Sequence, residues 1–143
     1  MKGNNQFVLC DSGFWISLYY PLKDPRAHEE ANTLAELIED SIICVPWPTM
    51  YEFLNSKLSK TGGLLEFEKA VNRPNTELIT DSNYRQQALS NLFLARKYTP
   101  NDISLVDEVI KLILNDKKYR FDYFVSVDTD LNNIARSLGV GIP

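Results

Sequence analysis

Short apolar runs alternate with longer segments whose apolar side chains recur every three or four residues. The runs Phe7–Cys10 and Ile42–Val45 contain only apolar residues and predict two buried strands. Further strands are predicted over residues 76–80 and 121–127. The segments between the strands have the spacing of amphipathic helices. The clearest helical series contains Ala31, Leu34, Ala35 and Ile38.

The complete pattern predicts the element order β-α-α-β-α-α-β-α-α-β-α. Strands that are separated by helices pair in parallel through right-handed crossovers. Strands without polar positions are also typical of a parallel sheet, because helices cover both of its faces. The sequence therefore predicts an α/β fold. No linker or internal repeat divides the chain, so we expect a single domain over residues 1–143.

The helix boundaries are predicted mainly from proline, glycine and capping residues. Pro25 suits the first turn of a helix that runs to about residue 40. Ser82 is expected to cap a long helix. The buried face of that long helix is expected to contain Ala88, Leu89, Leu92, Phe93 and Ala95. The remaining helices are expected over residues 13–20, 48–60, 104–117 and 131–138, with a short helix that ends near residue 72.

Composition excludes several classes of protein. The 143 residues are 44% hydrophobic, which is enough for a folded core and argues against disorder. The net charge of -4 argues against a protein that binds nucleic acid by bulk positive charge. Cys10 and Cys44 lie in apolar runs and are expected to be buried, reduced thiols. No apolar run approaches the roughly 20 residues of a membrane span, so we expect a cytoplasmic protein without a membrane partner.

Acidic residues follow the predicted strands at the points where those strands end. Asp11 comes directly after the first strand, and Asp128 and Asp130 come at the end of the last strand. Glu52 is expected in the first turn of the helix after the second strand. Active sites of open α/β sheets lie at the carboxyl ends of the strands. Connectivity alone therefore places three of these acids, Asp11, Asp128 and Asp130, at the expected position of the active site.

A fifth acid, Asp107, belongs to the helix before the last strand. The apolar stripe of that helix contains Ile103, Val106, Val109, Ile110, Ile113 and Leu114. At about 100° per residue, Asp107 lies at the edge of this stripe, where a carboxylate needs a compensating interaction. The neighbouring Glu108 is expected to point toward solvent. The pattern thus directs only one of the two adjacent acids toward the body of the protein.

Several carboxylates at one site repel each other unless a cation compensates them. Mg²⁺ and Mn²⁺ prefer oxygen ligands, and either ion can position a phosphodiester and activate water. The single histidine, His28, excludes a metal-free mechanism with two histidines. His28 itself lies beside two glutamates and is expected at the surface.

Four segments resemble the motifs of PIN domains, in the order in which that family has them. The string LCDSGFWISLY resembles the first motif, and TMYEFLN resembles the second. SLVDEVIKLIL and FVSVDTDLNNIARSLGV resemble the third and fourth. Leu131 stands where the family often has an aromatic residue. Together the segments span nearly the whole chain, and they are most similar to the VapC-type toxin ribonucleases.

The resemblance implies a three-layer fold, with a parallel sheet of four or five strands and helices on both faces. It also implies an endoribonuclease that uses Mg²⁺ or Mn²⁺. Carried over by motif, the catalytic acids are Asp11, Glu52, Asp107 and Asp128. The implied metal ligands are Asp11, Asp107, Asp128 and Asp130, and the supporting hydroxyls belong to Ser12 and Ser126.

The resemblance further implies the toxin component of a type II toxin–antitoxin pair. The expected partners are an RNA substrate, a cognate antitoxin and a second copy of the chain. A stand-alone RNA-processing nuclease would carry the same motifs, and an inactive PIN-like scaffold is the non-enzymatic alternative. The string VDTDL resembles the DxD motif of haloacid-dehalogenase-type phosphatases, but most of that fold follows the motif and only 13 residues follow Asp130 here, so we do not expect this class. A response-regulator receiver is excluded because its paired acids after the first strand are missing.

Each acid also has a structural interpretation. Asp11 and Asp128 suit helix N-caps, and Glu52 suits the positive end of a helix dipole. Two other groups remain open between function and structure. The aromatic residues Trp15, Tyr19 and Tyr20 would stack on RNA bases or pack in the core or at an interface. The cations Lys117, Lys118 and Arg120 would bind phosphate or lie in solvent at a helix end.

Overall fold

A computed structural model describes residues 6–21, 23–56, 63–98 and 104–143. Within these ranges the chain forms four strands and seven helices, in the order that the sequence predicts. The strands are β1 (Phe7–Cys10), β2 (Ile42–Pro46), β3 (Thr76–Ile79) and β4 (Tyr123–Val125). The helices are α1 (Ser12–Tyr19), α2 (Pro25–Leu37), α3 (Trp47–Asn55), α4 (Gly63–Val71), α5 (Arg85–Tyr98), α6 (Leu105–Asn115) and α7 (Thr129–Ser137).

All four strands pair in parallel, in the order β3-β2-β1-β4. In the centre of the sheet, Leu9 of β1 lies opposite Cys44 of β2 and Phe124 of β4. The segment after α7 extends the β4 edge, because the Phe124 amide donates to the Gly141 carbonyl at 2.9 Å. The predicted parallel α/β fold is confirmed in this part of the chain.

Alternating strand residues build two apolar clusters on opposite faces of the sheet. Leu9 and Phe124 belong to the cluster that α5, α6 and α7 cover. Val8 and Val125 belong to the cluster that α1 to α4 cover. Helices therefore pack on both faces, which is compatible with the three layers that were expected. Both cysteines are buried and free, as predicted.

Side-chain caps and prolines fix where several helices begin. Asp24 accepts hydrogen bonds from the amides of Arg26 and Ala27, and Pro25 occupies the first turn of α2 as predicted. Helix α7 ends shortly before Gly139, whose φ of 83° suits a residue without a side chain.

Among the helices of the described ranges, none combines the length and the apolar character that a membrane crossing needs.

Helix α5 differs from its prediction in its start and its buried face. It begins at Arg85, and the Ser82 hydroxyl accepts a hydrogen bond from Thr80 instead of capping the helix. Ala88 and Leu92 are buried, whereas the predicted core residues Leu89 and Phe93 are exposed. Ala95 is half-buried. The buried pair is four residues apart and lies on one line of the helix, so α5 presents a narrower face than its sequence indicates.

The last part of the predicted helix over residues 48–60, and Ile103 of the predicted apolar stripe, lie outside the described residues. Strand β4 covers only three residues of the predicted 121–127 segment. The strand ends early because Ser126 turns toward β1, where its hydroxyl binds Asp11.

Replacement of Phe53 by alanine is expected to lower the free energy of unfolding by about 3 to 5 kcal/mol. Phe53 is 0% exposed and stacks on Phe67, with a centroid distance of 4.1 Å. The matched control is Phe93→Ala, because Phe93 is 65% exposed and its loss leaves no cavity. Urea unfolding of the two variants measures the difference. Equal losses of stability would contradict the burial described for these two residues.

Candidate functional site

The strand order creates a crevice between β1 and β4. From β1 the chain proceeds to β2 and β3 on one side of the sheet, whereas β4 pairs with β1 on the other side. Ligand sites of open parallel sheets lie at the carboxyl ends of strands where the order reverses in this way. Asp11 follows β1 and Ser126 follows β4, so both predicted residues lie at this crevice.

Asp11 joins the ends of the two central strands. Its backbone amide donates to the Val125 carbonyl at 3.0 Å, which continues the pairing of β1 with β4 by one step. Its Oδ1 accepts from the amide of Ser12 at 2.8 Å and caps α1, while its Oδ2 accepts from the Ser126 hydroxyl at 3.1 Å. Asp11 is 7% exposed. Both oxygens of a buried acid are thus held by donors from two different strand ends.

Ser126 also positions the second acid of the crevice. Its Oγ accepts from the amide of Asp128 at 3.0 Å while donating to Asp11. Asp128 caps α7, because its Oδ1 accepts from the Leu131 amide at 3.0 Å. The Asp128 side chain is exposed. One serine hydroxyl therefore fixes the relative position of the two acidic turns.

Glu52 of α3 contacts Ser12 at the start of α1. Its Oε1 accepts from the Ser12 hydroxyl at 2.6 Å, so Ser12 links α1 to α3. Glu52 is exposed. Glu52 was predicted in the first turn of this helix. Because α3 begins at Trp47, Glu52 lies in the second turn instead. Its interpretation as a residue that complements the helix dipole is wrong, since that effect is confined to the first turn.

Asp107 lies half-buried at the start of α6. Ser104 caps this helix, and its Oγ accepts from the Asp107 amide at 3.0 Å. Burial and the negative charge of Asp128 raise the pKa of Asp107 above its ordinary value. Asp107 is thus partly covered, as expected at the edge of the apolar stripe, but it is less buried than the neighbouring Glu108.

The prediction that Glu108 points toward solvent is wrong. Glu108 is 4% exposed, and its Oε1 accepts from the ammonium group of Lys111 at 3.2 Å. Its Oε2 lies 3.5 Å from the amide nitrogen of Asn91 on α5. Helical periodicity places Glu108 away from the apolar stripe, and Asn91 of α5 and Lys111 cover it there.

The four acids predicted as catalytic are connected electrostatically. Burial raises the pKa of Asp11 from 3.8 to about 6, against the lowering effect of the hydrogen bonds from Ser12 and Ser126. The negative charges of Glu52 and Asp107 add to the increase in the pKa of Asp11. Because Asp107 is in turn affected by Asp128, the repulsion extends from one side of the crevice to the other.

The donor chemistry of this site fits a hard divalent cation, since carboxylates that repel each other are the ligands such an ion prefers. The positions of the side chains are a separate question. Across the described ranges, no three or more acidic, cysteine or histidine side chains lie together in a way that could hold a metal ion. Oxygens of Asp11, Glu52 and Asp128 are already engaged by protein donors. Asp130 lies exposed in the first turn of α7. The metal-ligand set therefore stays a prediction.

Two residues at the crevice were missed by sequence reasoning. A Cβ atom at Gly13 would lie 2.7 Å from Cγ2 of Val127, so this glycine permits α1 to approach the β4–α7 turn. Asn132 donates from Nδ2 to the Ser126 carbonyl at 3.0 Å and thereby supports that turn. The glycine directly after Asp-Ser was a readable signal, whereas nothing in the sequence marked Asn132.

The half-buried His28 connects two helices. Its Nδ1 lies 3.0 Å from the Ser17 carbonyl of α1, and its Nε2 lies 3.0 Å from the Asn32 side-chain amide of α2. The aromatic helix α1 is likewise structural in its first half, because Phe14 and Trp15 are buried in the core.

The Asp11→Asn variant is expected to gain stability over the wild type as the pH rises. The folded protein holds the Asp11 proton more tightly than the unfolded chain does, so ionisation between about pH 4 and about pH 7 costs the wild type stability. The advantage of the variant should grow by roughly 2 to 3 kcal/mol over this range, at about 1.4 kcal/mol per pKa unit. Urea unfolding of both proteins in metal-free buffer measures it. A difference that does not change with pH would show that Asp11 is not buried as described.

The chain was also compared as a whole with known proteins. No protein-family model, curated protein or solved structure among those compared matches it. A functional assignment therefore rests on the residues of this chain and on the geometry of this edge of the sheet.

Proposed function

We propose that the protein is an endoribonuclease of the PIN-domain type that uses Mg²⁺ or Mn²⁺. The observation that carries the proposal is the environment of Asp11, which is buried at the β1–β4 crevice and repelled by the charges of Glu52 and Asp107. Natural chains rarely bury an acid among other acids without a compensating role. A cation that neutralises the cluster and presents it to an anionic substrate accounts for the arrangement.

In this proposal the ion would draw together Asp11, Asp107, Asp128 and Asp130, which do not converge as a ligand set in the described part of the chain. When bound there, a divalent ion lowers the pKa of a water molecule and stabilises the charge that develops on a phosphodiester. The chain itself positions the acids. Ser126 holds the carboxylate of Asp11, and Ser12 holds both the Asp11 and Glu52 side chains through its amide and hydroxyl groups.

The different exposure of the acids is consistent with the roles that this proposal gives them. Asp11 is buried, whereas Glu52, Asp128 and Asp130 are exposed and accessible to a polymeric substrate. Asp107 is half-buried, its charge raises the pKa of Asp11, and the charge of Asp128 raises its own pKa. A long RNA strand can thus approach the outer acids without entering the core.

We further propose that this nuclease is the toxin of a toxin–antitoxin pair. A toxin needs a protein partner that covers it, and large exposed apolar residues favour such contacts. On the described surface, residues of this kind include Trp47, Tyr51 and Leu54 on α3 and Phe93 and Leu94 on α5, and others lie on α2, α4 and α6. We assign the exposed residues of α3 and α5, and not the buried aromatic residues of α1, to contacts with an antitoxin or with a second copy of the chain.

Purified protein is expected to cleave total RNA with millimolar Mn²⁺ and to stop when the metal is chelated. The variants Asp11→Asn, Glu52→Gln, Asp107→Asn and Asp128→Asn should each lose at least about 100-fold in rate, because acid–base groups contribute this much or more. Glu108→Gln is the matched control, since Glu108 is adjacent to Asp107 but is paired with Lys111. Gel analysis of RNA and a thermal melt of each variant separate lost activity from lost folding.

Two outcomes of this assay would contradict the proposal in different ways. If Asp107→Asn cleaves normally and a folded Glu108→Gln does not, the assignment of Asp107 is wrong. If the folded wild type leaves RNA intact with either metal, the alternative of an inactive scaffold replaces the nuclease.

Expression of the wild-type chain alone is expected to slow bacterial growth, and co-expression of the neighbouring small gene is expected to restore it. The control is Asp11→Asn, which keeps the shape of the side chain, removes its charge and should not slow growth. Growth curves with protein levels from immunoblots provide the measurement. Normal growth with abundant folded wild-type protein would contradict the toxin role and leave a stand-alone nuclease.

A further inference from the structure

A cavity of about 580 Å³ opens beside the acidic site, between α1, α2 and the turn from β4 to α7. Gly13 and Ser17 line it from α1, and Ser126, Val127 and Asn132 line it from the other side. Its volume is within the range of pockets that hold small organic ligands. The cavity is a separate space from the carboxylate crevice, but the two share a wall.

The shared wall is Ser126. The Ser126 hydroxyl donates to Asp11 and accepts from the amide of Asp128, while the same residue lines the cavity. Gly13 brings α1 against Val127 at this point, so little protein separates the two spaces. A ligand in the cavity therefore lies next to the acids that are proposed to cleave RNA.

The outer rim of the cavity carries two cations, Lys23 and Arg26. Both are exposed, and neither forms an ion pair within the described part of the chain. Of the two acids that also line the cavity, Asp24 is engaged in capping α2, and Glu30 lies one turn further along that helix. Two cations are thus available for an anionic group at the entrance.

The inner part of the cavity offers groups for the rest of a nucleotide. Asn132 donates from Nδ2 to the Ser126 carbonyl, but its buried Oδ1 has no hydrogen-bond partner. An orphaned acceptor is costly, so a small shift of the Asn132 side chain that lets Oδ1 accept from a ligand hydroxyl or amino group would lower the free energy. The half-buried ring of Tyr20 lines the same space and can stack on a base.

We propose that this cavity binds a nucleotide of single-stranded RNA that flanks the cleaved bond, with Lys23 and Arg26 on its phosphate. The inference rests on the proposed nuclease function and extends it to the substrate. Single-stranded RNA combines in one unit a phosphate for the cations, a hydroxyl for Asn132 and a base for Tyr20. An acidic peptide offers a partner only for the cations.

The test measures binding without cleavage. A fluorescent ten-nucleotide RNA is titrated with wild-type protein in EDTA, and anisotropy is recorded at several salt concentrations. The double variant Lys23→Ala/Arg26→Ala should raise Kd by about tenfold or more. It should also lower the slope of log Kd against log salt by about 0.7, since each neutralised phosphate on a single strand contributes about 0.7.

The matched control is Lys117→Ala/Arg120→Ala. These exposed cations precede β4, whereas the cavity lies beyond the carboxyl end of that strand. The control removes the same charge and should bind RNA with the wild-type Kd. Thermal melts establish that all three proteins are folded.

Each contrary result has a distinct meaning. Suppose that the wild type binds RNA and that the two double variants have the same Kd, either both raised or both unchanged. The cavity inference is then overturned, while the nuclease proposal stands. If the wild type binds a ten-residue polyglutamate peptide and not RNA, and the Lys23/Arg26 variant loses that binding, the cavity is an acidic-peptide site. If the folded wild type neither binds nor cleaves RNA, both proposals fall.

Discussion

The buried carboxylate of Asp11 is the point on which the functional edge of this protein depends. Removing an ionised acid from water is costly, and here it is only partly offset by the Ser12 amide and the Ser126 hydroxyl. Those two donors come from the ends of different strands, so Asp11 can be accommodated only when β1 and β4 are correctly paired. The Asp11 side chain therefore raises the free energy of the crevice through its charge, and it also needs β1 and β4 to be paired as they are.

Two of the candidate catalytic acids are also helix caps. Asp11 caps α1 and Asp128 caps α7, so the structural interpretation of both residues is confirmed. A cap uses one carboxylate oxygen, and the capping bond also fixes the direction of the side chain. The structural role therefore does not compete with a role in cleavage. What capping does not explain is the proximity of Glu52 and Asp107 to Asp11, which raises the free energy of the ionised site.

Glu108 shows how far helical periodicity can be trusted. The periodicity placed Asp107 at the edge of the apolar stripe and Glu108 on the opposite side of α6, yet Glu108 is the more buried of the two acids. Periodicity could not show that α5 would cover this opposite side, because that depends on the packing of one helix on another. The same limit affected α5, where Leu89 and Phe93 have the pattern of core residues and are exposed. Periodicity defines the faces of a helix, and only packing decides which faces are buried.

The sequence by itself determined the order of the elements, the parallel sheet and the position of Asp11, Asp128 and Ser126 at strand ends. These features are local, because apolar periodicity, prolines and capping residues act within a few positions of the chain. The tertiary structure decided the strand order β3-β2-β1-β4, the hydrogen bond of Ser12 to Glu52 and the cavity beside Ser126. Those features join residues from separate elements, and their energies depend on distances and burial that exist only after the helices and the sheet have packed.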